Sequence, residues 1–388
     1  MLSWLRQPEK LSGLLTMIAI VAALALANSP LRGLYELVHH TPVALRVGEL
    51  QVEKPLVLWI NEGLMVFFFL LVALELKREA LEGHLASPAH VALPAFAAAG
   101  GMLAPAAIYL AFAWGDAAAS RGWAIPTATD TVLALAALHA MGARVPASVK
   151  TFLTALAIFD DLGAIIILAV LYTKNLSFLS LFFAAAAILA LAVINRLGVT
   201  RTSAYVVLGF ALWVAVLESG VHATLAGVLI GLAVPLRVKG RAGSPLVAAE
   251  RGLRPWVALG VVPFFAYFNS GLRLPALGAD ELSYVVALGA AAGLALGKQA
   301  GILGAAWLAV RLGMARLPAG ASWMHIYGAA LMAGIGFTMS LFFAGVAFAN
   351  QPALSLSARV GVLAGSLVSA VLGAAFIMVA ARPKATAE

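Results

Sequence analysis

Two adjacent carboxylates, Asp160 and Asp161, sit in the middle of Leu153–Leu168, LTALAIFDDLGAIIIL, a stretch that is otherwise almost wholly apolar. An ionised Asp at the centre of a membrane-spanning helix costs about 2.5–3.5 kcal/mol on insertion scales. Two like charges side by side also repel, and the protons of such a pair come off in coupled steps. Helix packing calls for neither property, so the residues point to a site that handles protons or cations. Two more ionisable residues fall in apolar surroundings: Asp130 in AIPTATDTVLAL and Lys298 in LALGKQAGI. One lysine can neutralise one aspartate, which leaves a carboxylate to exchange a proton for a cation. A static ion pair that fixes helix register would explain one acid and one base, but not three acids with one base. A hard cation needs oxygen ligands, and Asp160, Asp161, the Thr129 hydroxyl and carbonyls freed at a helix break could supply them.

A second group lies in LELKREALEG, where Glu75, Arg78 and Glu79 stand at i, i+3 and i+4. Taken alone, that spacing is what a solvated helix end with local ion pairs looks like. His222, in SGVHATLAG, has a side chain that titrates near neutral pH, but it stands at the start of an apolar run, where packing accounts for it.

These residues must be held by membrane-crossing elements. Of the 388 residues 63% are hydrophobic and 11% charged, far below the roughly 25% charged residues of a soluble domain. The net charge of +8 does not argue for nucleic acid, because the basic residues are scattered between apolar segments. With no cysteine, disulfides and thiolate metal sites are excluded. The hydropathy pattern predicts one all-α polytopic domain over 1–388. It has about twelve spans, near 11–27, 57–76, 91–113, 123–142, 150–172, 178–195, 203–217, 221–235, 255–272, 284–308, 323–346 and 359–380. Placing the first end inside puts most of the 25 lysines and arginines in inside loops, so both termini are expected to be cytoplasmic.

Two spans are predicted to be broken. In the fourth, Pro126 removes a backbone donor and disfavours helix at Ile125. In the eleventh, Gly334-Ile335-Gly336-Phe337-Thr338 places two glycines and a threonine at mid-depth. Interrupted helices in corresponding halves are a sequence pointer to a transporter's binding site. Thr41–Lys54 alternates apolar and polar residues around Gly48, the pattern of a hairpin. The opening segment, with Arg6, Lys10 and an apolar run ending Ala25-x-Ala27, fits either a signal peptide or a retained first helix.

Five stretches together resemble the NhaA family of bacterial sodium/proton antiporters: WINEGLMVFFFLLVALELKRE at Trp59–Glu79, GWAIPTATDTVLAL at Gly122–Leu135, LTALAIFDDLGAIII at Leu153–Ile167, SGVHATLAGVLIG at Ser219–Gly231 and GIGFTMSLF at Gly334–Phe342. The resemblance spans nearly the whole chain. It implies inverted-topology repeats with two broken helices that cross, a fold already known for this family. It also implies a retained first helix, and a homodimer joined through the 45–54 hairpin in the bacterial inner membrane. Asp160 and Asp161 match the essential acid pair, with Asp161 the shared Na+ and H+ ligand. Lys298 matches the partner of Asp160, and Thr129 and Asp130 match residues at the helix crossing. Glu75, Arg78, Glu79 and Glu250 match a cytoplasmic pH-sensing cluster. No cofactor is implied; the partners are Na+, Li+, H+ and the bilayer. The chain departs from the best-studied pattern at Gln299, where a proline follows the buried lysine, and at Val247, Ala248 and Arg251 around Glu250. Glu62 stands where aspartate is the rule.

Three rival readings are separable. An intramembrane aspartyl protease sets its acids on different helices, one in Gly-x-Gly-Asp, which this chain lacks. Neighbouring acids on one helix point about 100° apart and do not form that dyad. A passive cation channel has no need of Lys298, and a sodium-coupled symporter would require an organic solute. The expectation is therefore a non-enzymatic, electrogenic exchange of cytoplasmic Na+ or Li+ for external H+ by alternating access.

Overall fold

The computed structural model of the protein describes residues 8–47, 50–83, 88–172, 176–238, 243–273 and 282–380. The expected all-α membrane architecture with one short hairpin is found. In chain order the larger helices are α1 (Pro8–Ala27), α2 (Arg32–His40), α3 (Leu56–Glu82), α4 (Pro88–Phe112), α5 (Thr131–Ala140), α6 (Ala147–Leu171) and α7 (Phe178–Arg196). They continue with α8 (Thr202–Leu217), α9 (Leu225–Ala233), α10 (Pro245–Trp256), α11 (Val262–Ser270), α12 (Tyr284–Arg311), α13 (Trp323–Ala333), α14 (Phe337–Ala347) and α15 (Pro352–Ala380). The hairpin pairs β1 (Pro42–Val47) with β2 (Leu50–Pro55) antiparallel, Pro42 opposite Pro55 and Val47 opposite Leu50. Its expected centre, Gly48, lies outside the described residues, as do Arg6, Lys174, Lys239, Arg241, Arg382 and Lys384 among the charges used for orientation.

Each expected span holds helix, but the about twelve spans are not twelve uninterrupted rods. Among the described residues, six helices are long and apolar enough to cross a membrane in one piece: Leu56–Glu82, Val91–Phe112, Ala147–Leu171, Phe178–Arg196, Tyr284–Arg311 and Pro352–Val379. Two bent pairs bring the number to eight, Leu11–Ala27 with Arg32–His40 at 111° and Trp323–Ala333 with Phe337–Ala347 at 43°. Thr202–Leu217 is an unbroken but shorter apolar helix, and the fourth span loses part of its length to a 3-10 turn and an extended stretch.

The fourth span shows why. Ile125–Thr127 is a 3-10 turn with Pro126 at its start, where a missing N–H is no loss. The chain then runs extended through Ala128 (φ −100°, ψ 146°) to Asp130 (φ −76°, ψ 96°), and α5 begins at Thr131. Ile125 thus lies outside any α-helix, as the proline predicts, and a 3-10 turn holds the proline that an α-helix interior would not tolerate. The eleventh span breaks between α13 and α14, at Gly334–Gly336, where it was expected. Three π-turns were not expected among the described residues: Ile60–Leu64 inside α3, Val257–Val261 between α10 and α11, and Gly293–Gly297 inside α12, directly before Lys298.

The chain divides into two compact units. One holds the described residues of Met1–Leu15, Ser87–Ala164 and Leu272–Glu388. Its centre is the α13–α14 pair, buried without interruption from Gly328 to Ala344, as befits helices apolar on every side. In the same unit α12 packs closely on α4. A Cβ on Gly301 would run into the Gly100 carbonyl, and one on Gly297 would lie 2.7 Å from the Cα of Pro105. These small residues allow backbones to touch, the usual basis of helix association in membranes. The other unit comprises Thr16–Ala86 and Ile165–Gly271, with a core of Leu74, Leu191, Tyr205, Leu212, Val216 and Leu246.

Candidate ion-binding site

The ionisable residues of the first unit converge where its irregular segments meet. α6 is regular through both acids, so Asp160 and Asp161 leave the helix in different directions; they are 0% and 4% exposed. Lys298, fully buried, donates to Asp160 Oδ2 in a short ion pair. The same oxygen accepts from the Thr129 hydroxyl at 2.6 Å, and that hydroxyl also lies 2.9 Å from the Ala333 carbonyl. Asp160 Oδ1, equally buried, meets no side-chain donor among the described residues. Asp161 stands within electrostatic reach of Lys298.

Asp130 takes a different part. Its Oδ1 accepts from Leu133 N–H at 2.9 Å and so caps α5. Its Oδ2 accepts from the N–H and the hydroxyl of Thr338, at 2.9 and 2.6 Å, in the first turn of α14. One carboxylate therefore faces the N-terminal ends of two half-helices, where partial positive charge collects. The backbone joins the breaks as well, since Asp130 N–H donates to the Ile335 carbonyl at 2.7 Å. The π-turn completes the junction: a Cβ on Gly334 would meet the Leu294 carbonyl at 2.7 Å, and one on Gly293 would meet Pro126. A π-turn carries one residue more than α-helix and leaves backbone carbonyls without their usual partners. It also sets the turn from which Lys298 projects.

Of the residues picked from sequence, Thr129 and Lys298 each bond directly to Asp160. Asp130 belongs to the adjoining network, and Asp161 follows Asp160 on α6. Three features were not assigned a role from sequence: the Ala333 carbonyl, the π-turn and Thr338. Thr338 was visible as a threonine at the break, but nothing in its spacing from Asp130 showed that they meet.

The residues expected to form a pH-sensing cluster lie together in an ion-pair network within the second unit. Glu250 on α10 accepts from Arg78 Nε at 2.7 Å and Nη2 at 3.3 Å, while Arg78 Nη1 reaches Glu79 at 2.7 Å. Arg254, unassigned from sequence beyond its charge, bridges Glu250 at 2.7 Å and Glu75 at 2.9 Å. Its i+4 spacing from Glu250 was the available signal. Burial alone would lower the pKa of Arg254, but Glu75 and Glu250 hold the guanidinium charged and raise it above the ordinary arginine value. Arg251 is exposed, one turn from Arg254 on the same helix. His222 Nδ1 lies 3.0 Å from the Thr224 hydroxyl just before α9, a packing position. Lys54 pairs with Glu62 at 2.6 Å, and Trp59 Nε1–H donates to Val43 O at 2.8 Å, so the hairpin is fastened to the start of α3.

Comparison with known proteins decides the lineage. The family model described as Na+/H+ antiporter 1 matches residues 4–377. The chain belongs to the NhaA antiporter family. It is 51% identical over 379 residues to the Na(+)/H(+) antiporter NhaA of Pseudomonas putida strain GB-1, covering 97% of this chain and 96% of that protein. The NhaA of Rhodospirillum rubrum is 50% identical over 383 residues, with 97% and 96% covered. That of Shewanella sp. strain ANA-3 is 50% identical over 366 residues, with 94% of each covered. The fold resemblance read from sequence is thus correct, and the chain is a multi-pass membrane protein of a transporter family rather than an enzyme. The NhaA match runs through every stretch that carries the site: the breaks, the acid pair and Lys298.

Proposed function

We propose that this chain exchanges cytoplasmic Na+ or Li+ for external H+ in the bacterial inner membrane, with both termini cytoplasmic, by alternating access. The observation that carries this reading is the division of labour on Asp160. Lys298 and Thr129 hold one carboxylate oxygen, while the other is buried and meets no side-chain donor among the described residues. A buried acceptor with no donor is unfavourable until a proton or a cation reaches it. Asp161, next on the helix, is the shared ligand that H+ and Na+ occupy in turn, and Thr129 adds a hydroxyl oxygen. Asp130 and Lys298 balance charge around them. Two acids and a base provide groups for more than one proton per cation, which makes the exchange electrogenic. Glu75, Arg78, Glu79 and Glu250 regulate it with pH, and the hairpin joins two copies.

The test is Na+-induced dissipation of a pH gradient in vesicles holding the protein, with no organic solute present. Exchange should be saturable in Na+ and Li+, and Asp161→Asn should abolish it while the variant still inserts. Normal rates in that variant would sink the assignment. Sodium flux that ignores the proton gradient would indicate a channel.

A further inference from the structure

We infer that the groove bounded by α12, α13 and α15 binds one acyl chain of an anionic phospholipid, with Arg311 holding the phosphate at the membrane surface. The groove lies within the first unit and shares no residue with the ion site. The inference therefore goes beyond the exchange reading and does not depend on it.

It begins with a stripe on one helix. Ala300, Gly304, Trp307 and Arg311 recur at i, i+4, i+7 and i+11 on α12, a spacing that keeps side chains on one face. Eleven residues of α-helix rise about 16 Å, and half of a bilayer's hydrocarbon core is about 15 Å thick. The stripe thus runs the depth of one leaflet, with Arg311 at the surface end. Its apolar members line a cavity of about 500 Å3 together with Trp323 and Tyr327 on α13 and Phe376 on α15. The rings of Tyr327 and Phe376 meet edge to face at 4.9 Å and close one wall. The floor is open, since a Cβ on Gly304 would meet nothing within 4 Å. In a membrane the material at hand to fill such a groove is hydrocarbon, and a chain lying along α12 matches its length.

The surface end sets the headgroup. Trp307 and Trp323 stand at that level, where amphipathic rings favour the boundary between chains and headgroups. The Arg311 guanidinium lies 5.1 Å from the centre of the Trp307 ring, which holds its charge beside the mouth of the groove. Arg316, in the loop that follows, is exposed. No Asp or Glu occurs between Leu282 and Ala387, so α12, α13, α15 and the segments joining them offer these arginines no carboxylate. A guanidinium matches phosphate with two parallel hydrogen bonds. Basic pockets between membrane helices on the cytoplasmic side bind anionic headgroups, and the orientation proposed above puts the loop after Arg311 on that side. A zwitterionic headgroup brings its own cation to the same place and gains less.

Bromine on an acyl chain quenches indole emission on contact, so brominated lipid reads occupancy of the groove. Full-length protein is placed in phosphatidylcholine vesicles with a minor share of brominated phosphatidylglycerol or, in a second set, brominated phosphatidylcholine. Subtracting the emission of Trp323→Phe isolates Trp323, and the same subtraction is applied in each variant. Phosphatidylglycerol should be preferred about fivefold, the effect of about 1 kcal/mol from one arginine at the surface. Arg311→Gln should bring the two lipids level, and Arg311→Lys should keep most of the preference. Gly304→Phe fills the floor and should abolish quenching of Trp323 by either lipid. Gly304 and Arg311 are both exposed, so these variants should fold, which an unchanged melting temperature checks. Equal quenching by both lipids in the parent would mean bulk lipid fills the groove, and no quenching would mean a protein surface covers it. Either result overturns the inference, as does a preference that survives Arg311→Gln or full quenching in Gly304→Phe.

Discussion

At the scale of residues, the Asp160–Lys298 pair governs what the site can tolerate. Both side chains are wholly buried, so neither charge has water to fall back on. Replacing Lys298 by Ala should destabilise the protein by about 3–5 kcal/mol if the site stays dry, because a buried carboxylate loses its partner. Thermal unfolding in detergent checks this, and an unchanged midpoint would mean the pair contributes nothing. The acids, Lys298 and Thr129 were legible in the sequence because charge in an apolar run is costly and therefore conspicuous. Thr338 and the Ala333 carbonyl were not. A threonine fits a membrane helix without explanation, and every residue has a carbonyl. Only the fold decides which of them lacks a helical partner.

At the scale of elements, the close approach of α12 to α4 supports Lys298 from behind. Gly301 faces the Gly100 carbonyl, whereas a Cβ on Gly304, three residues on, would have nothing within 4 Å. Gly301→Ala should therefore lower the melting temperature, at about 1–3 kcal/mol for overpacking. Gly304→Ala should match or exceed the parent, since alanine favours helix by about 1 kcal/mol over glycine. Equal effects at both positions would mean that α12 and α4 do not interlock as described. The hairpin is a separate matter. Removing Arg46–Lys54 takes away the end of β1, nearly all of β2 and the Lys54–Glu62 pair but leaves α3 intact. Dimers should weaken on native gels while vesicle exchange continues; an unaltered dimer would refute the contact. Sequence located both broken spans because Pro126, Gly334 and Gly336 punctuate them. The proline marks where α-helix cannot run, which holds at Ile125, but it does not mark where the extended chain begins, at Ala128. The π-turn left no mark at all, because GLALG reads as ordinary membrane helix.

At the scale of the whole molecule, the question is how pH controls turnover. If H+ and Na+ share one acidic site, protons inhibit competitively from the same side. Apparent KM for Na+ should then rise about tenfold per unit fall in pH below the site's apparent pKa, for each proton that must leave. The maximal rate at saturating Na+ should stay nearly constant over that range. The rival outcome, a flat KM with a maximal rate that collapses in acid, would assign control to the cluster of Glu75, Arg78, Glu79, Glu250 and Arg254. That cluster counts two guanidiniums that keep their charge at any working pH, so only its three carboxylates could report. Initial rates across a grid of pH and Na+ separate the two.

The π-turn at Gly293–Gly297 has a consequence for the history and engineering of the chain. Such a turn is an α-helix that has absorbed one additional residue without rotating the helix on either side. Chain length within α12 is therefore negotiable at that one place. Loss of a single residue there would close the turn to plain α-helix and leave Tyr284–Ala292 and Lys298–Arg311 facing as they do now. The same loss anywhere else in α12 would swing one end by about 100° and carry either Lys298 or its supporting glycines off their partners. Deletion scanning along this helix is thus a map of where its spare residue lies, and relatives one residue shorter would carry their gap at this spot.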